Sequence, residues 1–433
     1  MKSFAASLVS LALAAPLAAQ VPSAPAQEAE PAPSSANVAT AEAALDAAPV
    51  WDGHNDVPIQ LRGRFGNVIG EFDFADTTDT ADEESGAMHT DLARLEQGRV
   101  GAQFWSVYVS AALPEPEAVQ ATIEQIDVMK RLIARYSENL ELAYTANDVQ
   151  RAMDRGRLAS LLGMEGGHSI GSSLGVLRQM YAMGARYLTL THSANTPWAD
   201  SATADPEHGG LTEFGELVVR EMMRLGMLVD LSHVSEDTMT DTLDLIERQG
   251  GAPVIFSHSG ARAVNGHPRN VPDTVLSRLP ANGGIVMVVG LPAYLSEEVR
   301  QHGAARAGVE AAQRGLWQGQ PERVAELMAQ WDLENPAPKA TIGDMADHID
   351  HIREVAGIDH IGIGGDYDGM ETGPVGMEDV AGYPALFAEL ARRGYSRGDL
   401  EKIASRNMMR VLREAEAYAD SVGQMAPLEG GVE

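Results

Sequence analysis

The feature that most constrains this chain is an alternation of short β-rich runs with longer stretches patterned for helices. The runs fall at residues 50–56, 102–109, 159–165, 187–191, 228–232, 253–257, 284–289 and 361–366, eight in all. Between and after them lie helical patterns at 117–136, 173–183, 213–225, 235–249, 384–393 and 399–410. Ser235 and Ser396 offer hydroxyl caps followed by acidic residues, and Gly184, Gly226 and Gly250 offer stops. Strands separated by helix-length segments predict parallel βαβ units. Eight such units fit an α/β fold, a (β/α)8 TIM barrel with loop insertions, with an open doubly wound sheet as the competitor.

Outside this rhythm the chain is plainer. Lys2 precedes an uncharged, Ala- and Leu-rich run over 3–19 that ends in small residues, so 1–19 reads as a signal peptide cleaved after Ala19. The run is too short for a good membrane span, and without Cys there is no lipidation site. The expectation is a secreted protein of a bacterial periplasm with no stable membrane anchor. Residues 20–44 read as an Ala/Pro-rich linker and 416–433 as a C-terminal tail, frayed from Met425 onward. Two insertions stand out. One, 61–88, contains the acidic stretch 73–84 and reads as a solvated loop. The other, 294–357, carries Trp317, Trp331 and a helical run over 321–330, and reads as a cover for one barrel mouth or a contact with a second subunit.

Composition decides which chemistries remain. Lys and Arg total 32 against 62 Asp and Glu, a formal net charge of −30, which repels nucleic acid and anionic lipid. The absence of Cys excludes disulfides, thiolate nucleophiles, Cys-ligated zinc and iron–sulfur clusters. Any metal must therefore sit on His, Asp and Glu. HExxH and a P-loop are both absent.

Nearly every β-run finishes in a residue that can bind metal or move protons. The first ends His54-Asn55-Asp56, whose period of two puts His54 and Asp56 on one side. The third ends Met164-Glu165-Gly166-Gly167-His168, and His192, His233 and His258 close the fourth, fifth and sixth. The eighth ends Asp366-Tyr367-Asp368. Active sites of such barrels gather at the C-terminal ends of the strands. A lone strand-end His is most often a hydrogen-bonded structural residue, and an Asp before Gly a turn former. The coincidence of so many at one mouth favours a metal site, since such groups are costly to bury unpaired. His168, behind two glycines, reads as a loop or supporting residue. His89, His208, His302, His348, His351 and His360 read as structural or surface residues. Thiol-free ligands suit Zn²⁺, Mn²⁺, Co²⁺ or Fe²⁺, and a carboxylate such as Glu165 can bridge two ions that activate a shared water. That predicts hydrolysis without naming the bond.

The motifs Trp51-Asp52-Gly53-His54-Asn55-Asp56, Met164-Glu165-Gly166-Gly167-His168, Tyr187-Leu188-Thr189-Leu190-Thr191-His192, Asp230-Leu231-Ser232-His233, Ser257-His258, Arg269-Asn270-Val271-Pro272 and Gly364-Gly365-Asp366-Tyr367-Asp368 occur in this order. Together they resemble the membrane (renal) dipeptidase family, peptidase family M19, over about 45–415. The resemblance implies a barrel of the metal-dependent hydrolase type, often dimeric, that cleaves free dipeptides and often tolerates a D-residue at the C-terminal position. It implies two Zn²⁺ per chain, bridged by Glu165 and a water or hydroxide, with His54 and Asp56 on one ion and His233 and His258 on the other. It implies that His192 binds substrate and stabilises the oxyanion, that Asp366 shuttles the proton, and that Arg269 holds the dipeptide carboxylate. Arg269 has a nearby competitor in Arg262, and Asp368 competes with Asp366 for the proton role. The disulfides, glycans and lipid anchor of human-type members do not carry over to this Cys-free chain. Competing functions are an amidohydrolase acting on N-acyl amino acids or lactones, and a catalytically silent metal-binding protein. The presence of His192 and Asp366 argues against the silent reading.

Overall fold

Short parallel strands buried on both faces need partners on both edges, and closing the sheet into a ring provides them without leaving an open edge. The computed structural model describes residues 32–82 and 85–432. Its strands are β1 (Val50–Asn55), β2 (Val100–Ser106), β3 (Leu140–Leu142), β4 (Leu158–Glu165), β5 (Ala185–Thr189), β6 (Leu228–Asp230), β7 (Ile255–Ser259), β8 (Ile285–Val289) and β9 (Ile361–Gly364). All pairings are parallel. The ring runs β1, β2, β4 through β9 and closes where Asp52 of β1 meets Ile363 of β9. The protein is therefore a (β/α)8 barrel, and every expected strand is present within a few residues of its expected bounds.

The sequence pattern did not indicate β3. It pairs with the first residues of β4, from Leu140 opposite Leu158 to Leu142 opposite Ser160, on the flank that β5 takes over from Leu162 onward. Three residues are too few to show a period.

Helix signals carried over well. Ser235 accepts from the Thr238 amide at the head of helix Glu236–Gln249, and Gly226 ends helix Glu213–Leu225 with φ 79°. The helix expected over 399–410 is interrupted. A π-turn at Lys402–Arg406 separates Arg397–Glu401 from Asn407–Val422. Beyond it, Asn407 Nδ2 donates to the carbonyls of Ile358 and Ile361 at the start of β9.

Both expected chain-end boundaries need correction. Residues Ser35–Ala47 form a helix rather than a linker, headed by a reciprocal Ser34–Asn37 capping box. Its face of Ala41, Ala44 and Leu45 is buried against helices Tyr383–Arg392 and Arg397–Glu401. An alanine face looks like low complexity in sequence, although it lets helices approach closely. The signal peptide over 1–19 and the linker's first part, 20–31, lie outside the described residues. At the other end, helix Asn407–Val422 runs past 415, and Leu428 is tied down by Arg178 and Glu221.

The 61–88 insertion is solvated only in part. Phe72 and Phe74 are buried against Phe65, Trp105 and Tyr136, whereas Asp73, Asp76 and Asp79 face water. Arg94 gathers the segment by donating to Asp91, Thr77 and the Met88 carbonyl. The 294–357 connection forms a hairpin of helices Glu297–Leu316 and Pro321–Glu334 ahead of helix Ile342–Val355. The first hairpin helix buries no residue, and the second buries Val324 and Met328.

If the N-terminal helix is part of the barrel's shell, Leu45→Ala will cost about 2–4 kcal/mol in denaturant unfolding, the usual range for a buried leucine. A change under about 0.5 kcal/mol would mark the helix as an appendage.

Candidate active site

Strand β1 enters the mouth with Asp52 and His54 on its inward face. Asp52 Oδ1 accepts from the amides of His54 (3.0 Å) and Gly365 (2.8 Å), and Tyr383 donates its hydroxyl to Oδ2. Burial pushes the Asp52 carboxyl up to about 6, and these hydrogen bonds limit the rise. One carboxylate thus ties β1 to the end of β9. The His54 ring is held at Nδ1 by the Tyr187 hydroxyl, 2.8 Å away. Tyr187 packs so closely over Gly163 that a Cβ there would lie 2.0 Å from its ring, which explains the glycine inside β4. His54 Nε2 is buried and makes no hydrogen bond, yet it faces Asp56 Oδ2 at 3.3 Å and Glu165 Oε2 at 3.4 Å.

Glu165, the last residue of β4, is the meeting point. Its Oε2 accepts from Ser106 Oγ at 3.0 Å. Its Oε1 lies 2.9 Å from His233 Nε2, 3.4 Å from His258 Nε2 and 3.7 Å from His192 Nε2. The Nε2 atoms of His233 and His258 are 3.0 Å apart. A relay sets the His258 tautomer. Ser257 Oγ donates to Asp230 Oδ2 at 2.7 Å, so at its 2.8 Å contact with His258 Nδ1 it accepts. The ring proton then sits on Nδ1, and the Nε2 lone pair points into the cluster. Burial holds both His233 and His258 well below the usual imidazole range, so both are neutral, the form in which imidazole binds a metal.

Asp366 donates its amide to the His54 carbonyl at 3.1 Å and brings its carboxylate to the His54–His258 side of the cluster. Burial, reinforced by the Asp56 and Glu165 carboxylates, holds it well above the ordinary carboxylate range. His192 stacks between His233 and Tyr108, with ring centroids at 4.2 and 4.6 Å. Burial lowers its pKa, so it too is neutral. Arg269 is buried at 1% exposure, against Tyr294, the His258 carbonyl and Ser259 Oγ. Arg262 instead pairs with Glu236 at the surface. Asp368 lines the same cavity but stands outside the ligand groups: its Oδ1 accepts the His89 amide at 2.7 Å, its own amide donates to His89 Nδ1, and its buried Oδ2 has no hydrogen-bond partner. Its role is to hold the His89 loop. His233, Asp366 and Asp368 all have φ between 63° and 68°, a conformation that costs side chains energy and recurs at functional sites.

His168 Nε2 donates to the Val109 carbonyl at 3.0 Å, which makes it a loop anchor. His208, His348 and His360 likewise contact backbone carbonyls away from the cluster. Asp230, Asp52 and Asp200 were not singled out in sequence. Asp200 accepts from four successive amides, Glu207 to Gly210, and ties down the loop after β5. For Asp52 a signal existed, since it lies two residues before His54 on the same strand face. For Tyr294 there was none.

His54 groups with His258 and Asp366 and also with Asp56 and Glu165, and Glu165 groups with His192 and His233, the ligand atoms within each group lying within 4.8 Å of one another. An unpartnered buried imidazole nitrogen, neutral histidines and crowded carboxylates fit a divalent metal bound by nitrogen and oxygen. The sequence profile of the membrane dipeptidases, peptidase family M19, matches residues 38–425. The chain belongs to this family. Among relatives, Dipeptidase 3 of Macaca fascicularis is 41% identical over 394 residues, which cover 90% of this chain and 70% of the relative. Dipeptidase tcpJ of Claviceps purpurea is 39% identical over 386 residues, covering 87% and 79%. The probable dipeptidase PvdM of Pseudomonas aeruginosa shares the fold at TM-score 0.73 and 24% identity, covering 88% of this chain and 99% of that one. A metallopeptidase of Rhodobacter sphaeroides, liganded with a phosphinate mimic of L-Ala-D-Ala, does so at TM-score 0.67 and 24% identity, covering 85% and 99%. Membership in this family makes the chain a metallodipeptidase with its metal site at the barrel mouth.

Asp230 gives a direct check on how this dipeptidase positions its ligands. Besides the serine hydroxyl, it accepts from Thr189 Oγ1 and from the amides of Ser232 (3.1 Å) and Ser257 (2.9 Å). Asp230→Ala should weaken metal binding by about 10–100-fold, as losses of supporting partners commonly do, measured by competition with a chelating dye. Unchanged affinity would show that the relay does not orient His258.

Proposed function

We propose that this chain hydrolyses the peptide bond of free dipeptides with two zinc ions. The observation that carries the reading is Arg269. An arginine cannot shed its charge, and this one is buried, with Nε unpartnered and no carboxylate in ion-pair contact among the described residues. It lines a cavity of about 490 Å³ together with Glu165, His192, His233, His258 and Asp366. A buried cation facing a small cavity calls for an anion from the ligand, and a dipeptide's terminal carboxylate supplies one.

In this reading His54 and Asp56 hold one ion, His233 and His258 the other, and Glu165 reaches both. When bound, such a pair acidifies a shared water and polarises the carbonyl to be cleaved. The remaining steps belong to the chain's own residues. Arg269 binds the carboxylate and fixes the substrate's direction. His192, neutral and partly open to the cavity, donates a hydrogen bond to the oxygen that gains charge in the transition state. Asp366, whose raised affinity for a proton suits a carrier, takes the proton released at the attacking oxygen and delivers it to the departing amine. Acceptance of a D-residue at the carboxyl end is part of the proposal, supported by the L-Ala-D-Ala mimic in the Rhodobacter sphaeroides enzyme. So are export to a bacterial periplasm, on the strength of the uncharged run over 3–19, and a homodimer, on the strength of exposed Leu316, Trp317 and Leu333.

The test is a panel of free L,L and L,D dipeptides alongside carboxyl-amidated and N-acetylated versions. Cleavage should be confined to the free compounds, vanish with chelator and return with zinc. Arg269→Lys should lower kcat/KM by about 100-fold through loss of a buried, bidentate charge contact. Cleavage of the N-acetylated compounds alone would favour the amidohydrolase. Full activity of Arg269→Lys would remove the carboxylate assignment.

A further inference from the structure

The catalytic cavity does not end at the metal cluster. A groove of about 900 Å³ adjoins it, and Gln60, Leu291, Asp368 and Gly369 line both. We propose, resting on the dipeptidase reading, that this groove is the subsite for the side chain of the substrate's amino-terminal residue and that it selects large apolar side chains.

Direction comes from the two ends of the cavity. Arg269 marks the carboxylate end, beside Tyr294 and Ser259. Three of the shared residues belong to the other end. Gly369 stands so close to the carboxylates that a Cβ on it would lie 2.2 Å from Asp56 Oδ2 and 2.9 Å from Asp366 Oδ1. Gln60 donates to the Asp368 carbonyl and so shares that wall. A dipeptide laid from Arg269 across Glu165 places its amino-terminal residue at this end, where the groove opens.

The walls decide the chemistry. Leu291, Pro292, Ala293, Val299, Met370 and Val375 present apolar surface, and the charged Lys339, Glu371 and Glu378 that share the lining are exposed to water. Arg64 lines the groove too, but its guanidinium is committed, donating to Gln60 Oε1 and to the carbonyls of Thr80 and Gly86. It props up the wall and is not free to bind an anion. The two long insertions supply much of the rim, Ser85 to Ala87 from one and Ala337 to Ala340 from the other. The segments that looked like embellishments of the barrel thus stand where they can set substrate size. An apolar side chain entering the groove gains from each patch of surface removed from water, a gain that glycine or alanine cannot realise.

The test compares kcat/KM for Gly-Ala, Phe-Ala and Trp-Ala, with Ala-Phe as the control for the other side chain, in the zinc-loaded enzyme. The wild type should prefer Phe-Ala and Trp-Ala. Ala337→Trp, on an exposed rim residue, and Met370→Trp, inside the groove, should each lower kcat/KM for Phe-Ala and Trp-Ala by about tenfold or more while leaving Gly-Ala within about twofold. Equal losses on all substrates, losses that follow Ala-Phe, or no change in either variant would overturn the subsite while leaving dipeptide hydrolysis standing. A wild type that cleaves none of these peptides would overturn the dipeptidase reading and the subsite with it.

Discussion

Glu165 is the residue on which the rest of the site depends. Its two oxygens face four imidazoles, and a serine hydroxyl holds it from behind. A carboxylate buried this deeply is unfavourable unless positive charge or hydrogen-bond donors surround it. Burial holds His192, His233 and His258 neutral, whereas His54, against its own burial, is drawn well above the usual imidazole range by Tyr187 and the neighbouring carboxylates. With Asp56 and Asp366 crowded beside Glu165, that one imidazole does not match three carboxylates, and metal ions do. The barrel concentrates at its C-terminal mouth a charge imbalance that divalent cations resolve.

Holding such a cluster requires a supporting layer that does not touch the ligand. Asp52 joins β1 to the loop after β9, and Asp230 joins β5, β6 and β7. Tyr187 crosses the barrel interior to orient His54, and β4 yields to it at Gly163. Asp52, Tyr187 and Asp230 lie on three different strands, and each spans a strand boundary. The ligand geometry is therefore a property of the closed sheet, and loop variation around the mouth can proceed without disturbing it. The groove rimmed by the two insertions is an instance of that freedom. Its walls come from segments far apart in sequence, whereas the catalytic cavity is built from strand ends.

The strand rhythm, the Cys-free ligand set and the ordered motifs were legible because each is local. A period of two places His54 with Asp56, and a strand end followed by Gly places Glu165 and Asp366 at a turn. Family membership followed from those same residues. The N-terminal helix was missed because Ala41 and Ala44 carry no strong apolar signal, and β3 because three residues show no period. Asp368 illustrates the limit well. In sequence it is as plausible a proton carrier as Asp366, two residues away. In the fold the chain turns between them, so one carboxylate faces the cluster and the other faces His89.

By itself the sequence determined the barrel, the kind of ligands at its mouth and the family to which the chain belongs. Those follow from side-chain periodicity and residue chemistry, which act over a few positions. The tertiary structure decided which nitrogen of His258 is free, that Arg269 rather than Arg262 is buried beside the metal cluster, and that the two insertions meet around a groove joined to the catalytic cavity. Those outcomes depend on distances between residues tens to hundreds of positions apart, and only the closed sheet sets such distances.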